Sequence, residues 1–341
     1  MRKDLLEFTD RGIYCPKADV FIDPWKPVDR ALITHGHADH ARPGHRHYLS
    51  TAAAAPVIRL RLGDIALETV AFGEKRTING VDISFHPAGH IPGSAQIRLE
   101  YRGEVWVVSG DYKVQPDNLS ETFEPIACNA FISECTFGLP VFKWRPQSEV
   151  MSEINGWWRD NADAGRTSVL GAYSLGKAQR VLAGLDEGIG PIFTHGAVEN
   201  TNTVLRAQGL TLPQTMQVTD EQKKEDFAGS LVIAPPGALG SNWMRRFPRV
   251  STAFASGWMA MRGVRRRRAV DRGFVLSDHC DWTELNDAIA ATGAERIYVT
   301  HGYTDIFRRW LEERGFDARI VETEYRGDDL EESSSGSETP E

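Results

Sequence analysis

The residues Thr34-His35-Gly36-His37-Ala38-Asp39-His40 directly follow the apolar run Ala31-Leu32-Ile33, which is typical of a short buried strand. Three histidines and one aspartate within six positions rarely occur together by chance. Imidazole and carboxylate groups are both suitable ligands for zinc or manganese. Because side chains this close in sequence point in different directions, we expect two adjacent metal ions, each completed by residues from elsewhere in the chain.

The same local pattern recurs along the chain: a short apolar run stops and a metal-binding or acid–base residue follows. The residues in this position are His90 (after a turn rich in Pro and Gly), Asp111, Glu134, His279 and His301. Loops at strand ends are where a rigid sheet can hold side chains in fixed positions. We therefore expect these residues to converge on one metal site.

The composition of the 341 residues is that of a soluble globular protein with one large core or two smaller ones. No segment approaches the roughly 20 apolar residues of a membrane helix, and the first residues lack the apolar segment of an export signal, so we expect a cytoplasmic location. The four cysteines form no C-x-x-C pair and are too few for a disulfide scaffold, which indicates reduced thiols.

The charge of the chain is distributed unevenly. Residues 327–341 carry six acidic residues and no basic one, and without these acids the net charge of −8 falls to −2. Leu330 is the one large apolar residue of this segment, which is too little to dock it, and we expect it to be disordered. Basic residues cluster instead at Arg262 and Arg265–Arg268, shortly after Arg245, Arg246 and Arg249. Such a cluster fits either contact with phosphates or a solvated basic turn.

The His35-x-His37-x-Asp39-His40 pattern matches the H-x-H-x-D-H signature of the metallo-β-lactamase fold, and the chain resembles that superfamily. Glu134 in Ser-Glu-Cys-Thr-Phe, His279 in Ser-Asp-His-Cys-Asp and His301 in Val-Thr-His-Gly look like motifs A, B and C of its β-CASP nucleases.

Within that subfamily, the chain looks most like the bacterial DNA damage response exonucleases associated with an ATP-dependent DNA ligase. The segments that carry this likeness are Phe85–Ala95, Ser109–Lys113 and Ser277–Trp282, together with the short length. The resemblance extends to about Tyr325.

The resemblance implies a ligand set for two divalent metal ions, Zn or Mn. The first ion would be held by His35, His37 and His90, the second by Asp39, His40 and His301, with Asp111 as the bridge between them. Asp23 resembles the first family motif, an outer carboxylate that orients the ligand loop, although an aspartate that simply ends a strand would look the same.

The implied fold is α/β: a metallo-β-lactamase αββα sandwich that is interrupted by an inserted α/β β-CASP cap domain. The boundaries expected are residues 1–143 and 269–326 for the split domain, 144–268 for the insert and 327–341 for the tail.

Within the insert, the sequence predicts a helix over 148–161, a strand over 167–172 and a turn and helix over 173–180. We expect Trp157 and Trp158 in the first helix to be packing residues.

Contacts to substrate are expected from the insert. Ser174 and Lys177 lie at a helix start, where backbone N–H groups favour a phosphate, although Ser174 also fits a simple N-cap. Ser256 and Gly257 form a second turn that resembles the family. His195 copies the strand-end pattern but lies in the insert, so we expect substrate contact or a structural role rather than metal ligation.

The function implied is that of a hydrolase, a metal-dependent nuclease that acts as a DNA exonuclease in repair. Its catalytic residues would be His279, Glu134, Asp39 and Asp111, with His279 protonating the leaving 3′ oxygen and Glu134 orienting its imidazole. The family also implies association with an ATP-dependent DNA ligase and a helicase. The nearest alternative is an RNA-processing β-CASP ribonuclease, exo or endo, and a small-molecule hydrolase or a noncatalytic nucleic-acid-binding subunit is a more distant one.

Overall fold

The protein is described here by a computed structural model that covers residues 4–324. These residues form two compact units. The first holds residues 4–143 and 279–324, and the second holds residues 144–278. The predicted return to the first domain at residue 269 thus differs from the observed one at His279. The acidic segment 327–341 lies outside the described residues.

The elements are numbered in chain order. The strands are β1 (Glu7–Thr9), β2 (Gly12–Cys15), β3 (Val20–Ile22), β4 (Arg30–Leu32), β5 (His47–Thr51), β6 (Leu67–Val70), β7 (Arg76–Ile78), β8 (Val81–Pro87), β9 (Ala95–Tyr101), β10 (Glu104–Val108), β11 (Ala130–Cys135), β12 (Thr167–Gly171), β13 (Ile192–Thr194), β14 (Met216–Gln217), β15 (Leu231–Ala234), β16 (Val250–Ala255), β17 (Arg272–Phe274), β18 (Arg296–Gly302) and β19 (Asp317–Ile320). The α-helices are α1 (Ala55–Leu62), α2 (Gln147–Asp163), α3 (Lys177–Ala183), α4 (Gly196–Ala207), α5 (Arg262–Arg267), α6 (Trp282–Thr292) and α7 (Thr304–Glu313).

The first unit contains two sheets that pack face to face. Sheet 1 has the order β1-β2-β3-β4-β5-β6, and sheet 2 has the order β19-β18-β11-β10-β9-β8-β7. Ile22 and Leu32 from sheet 1 share one core cluster with Phe85, Ile97 and Trp106 from sheet 2. Because successive side chains of a strand alternate between the two faces of a sheet, each sheet has one apolar face, and the two apolar faces pack against each other.

Helices cover the outer faces of both sheets. Ala55 and Ile58 of α1 pack with Tyr48 on sheet 1. Leu285 of α6 and Leu311 of α7 belong to a cluster that includes strand residues of sheet 2. The first unit therefore has four layers in the order helix, sheet, sheet, helix.

The direction of the strands in sheet 2 decides where the polar loops meet. β10 pairs with β11, and β11 with β18, in parallel, while β9 is antiparallel to both β8 and β10. It follows that β8, β10, β11 and β18 all run the same way. Their carboxyl ends lie at one edge of the sheet, and these are the strands that lead to or carry His90, Asp111, Glu134 and His301.

The second unit is built on an entirely parallel sheet with the order β14-β13-β15-β12-β16-β17. Parallel sheets are covered on both faces, so their strands are continuously apolar. Every residue of β15 is buried, and the two faces belong to two separate core clusters. β17 pairs with β16 in this sheet, and for that reason residues up to Asp278 belong to the second unit.

The elements predicted at the start of the second unit are observed with small differences at their ends. The helix predicted over 148–161 is α2, the strand predicted over 167–172 is β12, and the helix after the turn is α3, which begins at Lys177. Trp157 and Trp158 are packing residues, as expected, because both are buried in the core. The Trp157 indole N–H donates to Ser251 Oγ, and the Trp158 indole N–H donates to the Gly229 carbonyl.

Among residues 4–324, no helix combines the length and apolar composition needed to span a bilayer.

Replacement of Trp158 by alanine should destabilise the second unit, because the indole is fully buried and its loss leaves a large cavity. We expect a loss of about 3–5 kcal/mol in the free energy of unfolding. Urea denaturation followed by far-UV circular dichroism measures this loss. Met216→Ala is the control, since Met216 is 46% exposed in the same sheet and its truncation should change the free energy by less than about 0.5 kcal/mol. Equal effects of the two substitutions would contradict the assignment of Trp158 to the core.

Candidate metal centre

Seven side chains of metal-ligand type converge in the first unit. Four of them lie in the loop that follows β4, and the others come from the turn after β8, the loop after β10 and the end of β18. They are His35, His37, Asp39, His40, His90, Asp111 and His301. All are buried except His301, which is half-buried. The residues predicted to bind metal are thus brought together in space.

His35, His37 and His90 form one group with Asp111. The Nδ1 atom of His37 lies 3.2 Å from His35 Nε2 and 3.1 Å from His90 Nε2. The Oδ2 atom of Asp111 lies 3.6 Å from His35 Nε2 and 3.8 Å from His90 Nε2. One ligand atom from each of the four residues falls within 4.8 Å of all the others, which is a spacing that a single ion can bridge.

Asp39, His40 and His301, the residues of the second predicted ligand group, also lie near Asp111. His40 Nε2 is 3.5 Å from Asp111 Oδ2 and 3.8 Å from Asp39 Oδ2. His301 Nε2 is 3.1 Å from Asp111 Oδ1. The Asp111 carboxylate therefore contacts histidines of both predicted ligand groups: His35, His90 and His40 lie near Oδ2, and His301 lies near Oδ1.

The chemistry of this donor set fits divalent metal ions. Imidazole nitrogens and carboxylate oxygens are the ligands of zinc and manganese, and six of the seven residues here are buried. Buried carboxylates need a compensating positive charge, and a divalent cation supplies it where the ligand atoms converge. The ligand atoms of His35, His37, His90 and Asp111 converge closely enough to hold one such cation without any further residue.

Asp23 holds the ligand loop from behind. Its carboxylate accepts hydrogen bonds from the Thr34 backbone N–H at 2.8 Å and the Thr34 hydroxyl at 2.6 Å, and its Oδ2 lies 2.8 Å from His40 Nδ1. A hydrogen bond to Nδ1 leaves the Nε2 lone pair of His40 to face the centre. An aspartate that merely ended its strand would not contact a ligand histidine, so the role of an outer carboxylate describes Asp23 better.

Burial and neighbouring charges shift the pKa values of His35 and His40 in opposite directions. Burial, together with neighbouring His40, holds the pKa of His35 well below its usual value. Burial acts in the same direction on His40, but the carboxylates of Asp111, Asp39 and Asp23 outweigh it and raise the pKa of His40 well above the usual value. Metal binding at His40 would therefore displace a proton.

Two glycines next to ligands have no room for a side chain, and sequence reasoning did not single them out. Gly89 precedes His90 with a φ of +76°, and a Cβ there would lie 2.1 Å from the Lys113 carbonyl oxygen. Gly302 follows His301 with a φ of +97°, and its Cβ would lie 2.2 Å from the Cys135 carbonyl oxygen. In the sequence, the one sign that these glycines are required was their position next to a predicted ligand histidine.

Glu134 and His279 form a buried pair beside the ligands. The Nδ1 atom of His279 lies 2.7 Å from Glu134 Oε1. Glu134 also accepts hydrogen bonds from the backbone N–H groups of Tyr112 at 3.1 Å and Thr136 at 3.2 Å, and from the Thr136 hydroxyl. The His279 and His90 ring centroids are 4.6 Å apart, so this pair borders the metal ligands.

The residues predicted to contact substrate lie in the second unit. Lys177 is buried, with its Nζ 3.1 Å from Asp278 Oδ2 and 5.3 Å from the centroid of the Tyr173 ring. Ser174 is half-buried and is not an N-cap, because α3 begins at Lys177 and Gly176 occupies the cap position. The N-cap alternative for Ser174 was therefore wrong.

Ser256, Gly257 and His195 also have defined structural surroundings. Ser256 caps the short 3₁₀ helix Gly257–Ala260, with its hydroxyl accepting from the Trp258 N–H, and both Ser256 and Gly257 are buried. His195 caps α4 through a hydrogen bond from Ala197 N–H to its Nδ1 at 3.1 Å. This cap supplies the structural role expected for His195.

Comparison with known proteins gives matches to single chains, while no protein-family model matches. The chain is 31% identical over 317 residues to a probable DNA ligase of Opitutus terrae, a match that covers 91% of this chain and 30% of that protein. It is 29% identical over 123 residues to an endoribonuclease of Yarrowia lipolytica, covering 36% of this chain and 15% of that protein. The chain thus spans less than a third of the length of either relative.

A crystal structure of a protein of unknown function from Enterococcus faecalis V583 is similar in fold. It aligns with a TM-score of 0.59 and 9% sequence identity, over 88% of this chain and 80% of the other. At this level of identity the likeness concerns the fold alone.

Replacement of Asp23 by asparagine should weaken metal binding by about 10–100-fold, because the carboxylate that orients His40 and Thr34 is lost while all seven ligands remain. Equilibrium titration of the metal-free protein with zinc or manganese measures the affinity. Asp82→Asn is the matched control, since Asp82 lies on β8 and bonds to Thr77 and Lys75 at the surface. An unchanged affinity in Asp23→Asn would show that Asp23 does not orient the ligands.

The sequence motifs, the convergence of their residues and the relatives agree with one another. The H-x-H-x-D-H loop, motif A at Glu134, motif B at His279 and motif C at His301 all meet in the first unit. The match to the probable DNA ligase extends through nearly the whole chain, and the endoribonuclease shares part of it. The chain belongs to the β-CASP family of the metallo-β-lactamase superfamily.

Proposed function

We propose that this protein is a phosphodiester hydrolase that depends on two divalent metal ions and acts as a DNA exonuclease in DNA repair. The observation that carries the proposal is the contact of Asp111 with histidines of both predicted ligand groups, with the His279–Glu134 pair beside them. The assignment to DNA is supported by the relative that is a probable DNA ligase.

In this proposal each ion, Zn or Mn, has its own set of ligands. His35, His37 and His90 would hold the first ion, Asp39, His40 and His301 would hold the second, and Asp111 would be shared by the two sets. Two divalent ions in such a site lower the pKa of bound water and offset the charge that develops on the phosphoryl oxygens. Asp39 and Asp111 would contribute to catalysis by holding the two cations in place.

His279 acts as the general acid for the leaving 3′ oxygen. Glu134 Oε1 accepts from Nδ1 of the imidazole at 2.7 Å, so the proton to be donated is on Nε2. Glu134 itself cannot rotate freely, because the Tyr112 and Thr136 N–H groups hold both of its oxygens. The imidazole is therefore fixed in one orientation before substrate binds.

The second unit corresponds in this proposal to the β-CASP cap inserted into the metallo-β-lactamase domain. Its fully parallel sheet lies between the two segments of the first unit in the chain. Ser174, Lys177, Ser256 and Gly257 are its proposed contacts with the nucleic acid. The burial of Lys177 against Asp278 directs its charge to that carboxylate, so the contact at this turn involves the backbone rather than the Lys177 ammonium.

The protein would work in the cytoplasm, in association with an ATP-dependent DNA ligase and a helicase. The match between this chain and 30% of a probable DNA ligase supports a link to ligation.

An RNA-processing ribonuclease, either exo or endo, is the second candidate function. It is favoured by the relative that is an endoribonuclease, with which the chain shares 123 aligned residues. The metal ligands and His279 act on the phosphodiester, which DNA and RNA have in common, so discrimination depends on contacts to the 2′-hydroxyl.

Metal-loaded protein should shorten single-stranded DNA stepwise and leave RNA of the same sequence intact. Each strand is labelled at one end or the other, and denaturing gels then give both the sugar preference and the polarity. Asp111→Ala should abolish cleavage, because the carboxylate that contacts histidines of both predicted ligand groups is lost. Preferential cleavage of RNA would select the ribonuclease alternative, and cleavage that persists in Asp111→Ala would contradict the metal centre as the site of reaction.

Replacement of His279 by glutamine should lower kcat by about 10²–10⁴-fold, which is the usual contribution of a general acid. The metal content should stay unchanged, since His279 is absent from both proposed ligand groups. Turnover is followed with labelled DNA, and the metal is measured by mass spectrometry on the same sample. His47→Gln, an exposed histidine at the start of β5, is the control. Loss of metal from His279→Gln would instead make His279 a ligand.

A further inference from the structure

A strongly basic surface in the second unit is not used by the proposed reaction. It consists of Arg262, Arg265, Arg266, Arg267 and Arg272, which we term the arginine surface. All five side chains are exposed. The first four belong to α5, which connects β16 to β17, and Arg272 begins β17, the edge strand of the parallel sheet.

The arginine surface is not neutralised by the rest of the second unit. Within the part of the chain that the structure describes, none of its five guanidinium groups pairs with a carboxylate. The nearest acidic residue in sequence, Asp271, accepts hydrogen bonds from the Thr252 N–H and hydroxyl at 2.8 and 3.1 Å. The positive charge is therefore available to an external anion.

Two of the arginines are anchored while remaining exposed. Arg265 Nη2 donates to the Gly273 carbonyl at 3.3 Å, and the Arg272 guanidinium lies 5.5 Å from the centroid of the Phe274 ring. Anchoring places the charges along β17 and reduces the conformational entropy lost when a ligand binds. These contacts leave further N–H donors of both groups unused, because a guanidinium carries five.

The stability of α5 does not account for this charge pattern. Cations in the last turn of a helix interact favourably with its dipole. This interaction explains Arg265, Arg266 and Arg267, which lie in the last turn of α5. Arg262, however, lies in the first turn, where a cation is unfavourable, and it repels Arg266 four residues later. Arg272 is outside the helix.

We propose that the arginine surface binds the phosphates of a nucleic-acid strand and holds part of the substrate on the second unit. This proposal rests on the proposed nuclease function. A six-residue helix is about 9 Å long, which corresponds to two or three nucleotides at about 3.4 Å each along one strand of a duplex. Guanidinium groups match phosphate oxygens in paired hydrogen bonds, and such contacts are independent of base sequence.

A nucleic acid fits this surface better than an acidic protein does. Protein interfaces have an apolar centre of large side chains. In the described residues of the second unit the large apolar side chain that is exposed is Met216, on β14 at the opposite edge of the sheet from β17. The arginine surface therefore provides charge without an apolar anchor.

The test is the salt dependence of binding. Arg265→Gln, Arg266→Gln and Arg267→Gln are combined in one variant, and the control variant combines Arg11→Gln, Arg46→Gln and Arg76→Gln, which are exposed arginines of the first unit. Both lose three charges. Each set is placed in the Asp111→Ala background so that the strand is not cleaved, and binding of a fluorescent 30-nucleotide thymidylate is measured by anisotropy from 50 to 300 mM NaCl. Circular dichroism checks that each variant is folded.

We expect the α5 variant to bind at least about tenfold more weakly at 50 mM NaCl and to lower the slope of log affinity against log salt by about 2, since each phosphate contact on a single strand contributes about 0.7. The control variant should keep the slope of the parent. An unchanged slope in the α5 variant, an equal loss in both variants, or no binding by the parent would each overturn the proposal.

A second measurement separates this proposal from the proposed function. Hydrolysis of bis(p-nitrophenyl) phosphate, which is too small to reach an extended surface, is measured with Asp111 intact. The α5 substitutions should leave this rate within about twofold of the parent, because the three arginines are neither proposed metal ligands nor part of the His279–Glu134 pair. A parent without this activity would contradict the nuclease function alone, whereas a proportional loss of small-substrate hydrolysis in the α5 variant would overturn the separate binding role.

Discussion

The first unit depends on how the buried Asp111 carboxylate is accommodated. Four imidazoles surround it, with nitrogen–oxygen distances of 3.1–3.8 Å. Removing a carboxylate from water is costly unless positive charge or hydrogen bonds replace the water. Burial raises the pKa of Asp111, yet His40 and His301 outweigh it and keep the pKa well below its ordinary value. The common direction of β8, β10, β11 and β18 brings His90 and His301 to the edge where Asp111 lies, and the loop after β4 in sheet 1 supplies His35 and His40.

Much of the metal centre could be predicted from the sequence because the chemistry is local to strand ends. Each ligand follows or ends an apolar run, and parallel strands deliver such residues to the same edge. The packing role of Trp157 and Trp158 was equally accessible, since a helical pattern places them on its buried face. The role of Asp23 could be assigned only from the structure, because only the contact with His40 distinguishes an orienting carboxylate from a turn residue.

Other features depend on pairings that a linear sequence does not contain. Lys177 looks like a free cation at a helix start, but its partner Asp278 lies far along the chain. The boundary at 269 was placed too early because β17 joins the second unit by pairing with β16, a non-local contact. Gly89 and Gly302 matter through the carbonyl oxygens of Lys113, in the loop after β10, and of Cys135, at the end of β11.

The place of β18 in the chain has a consequence for biosynthesis. β11 is hydrogen-bonded to β10 on one side and to β18 on the other, and the whole second unit is translated between β11 and β18. A nascent chain that ends before residue 301 carries six of the seven ligand side chains and leaves β11 as an open edge, which is a surface prone to pair with other chains. Contacts of such long range form slowly. The strand that covers the β11 edge and the histidine that completes the predicted ligand set both belong to β18, so the ribosome releases them together, after the whole second unit.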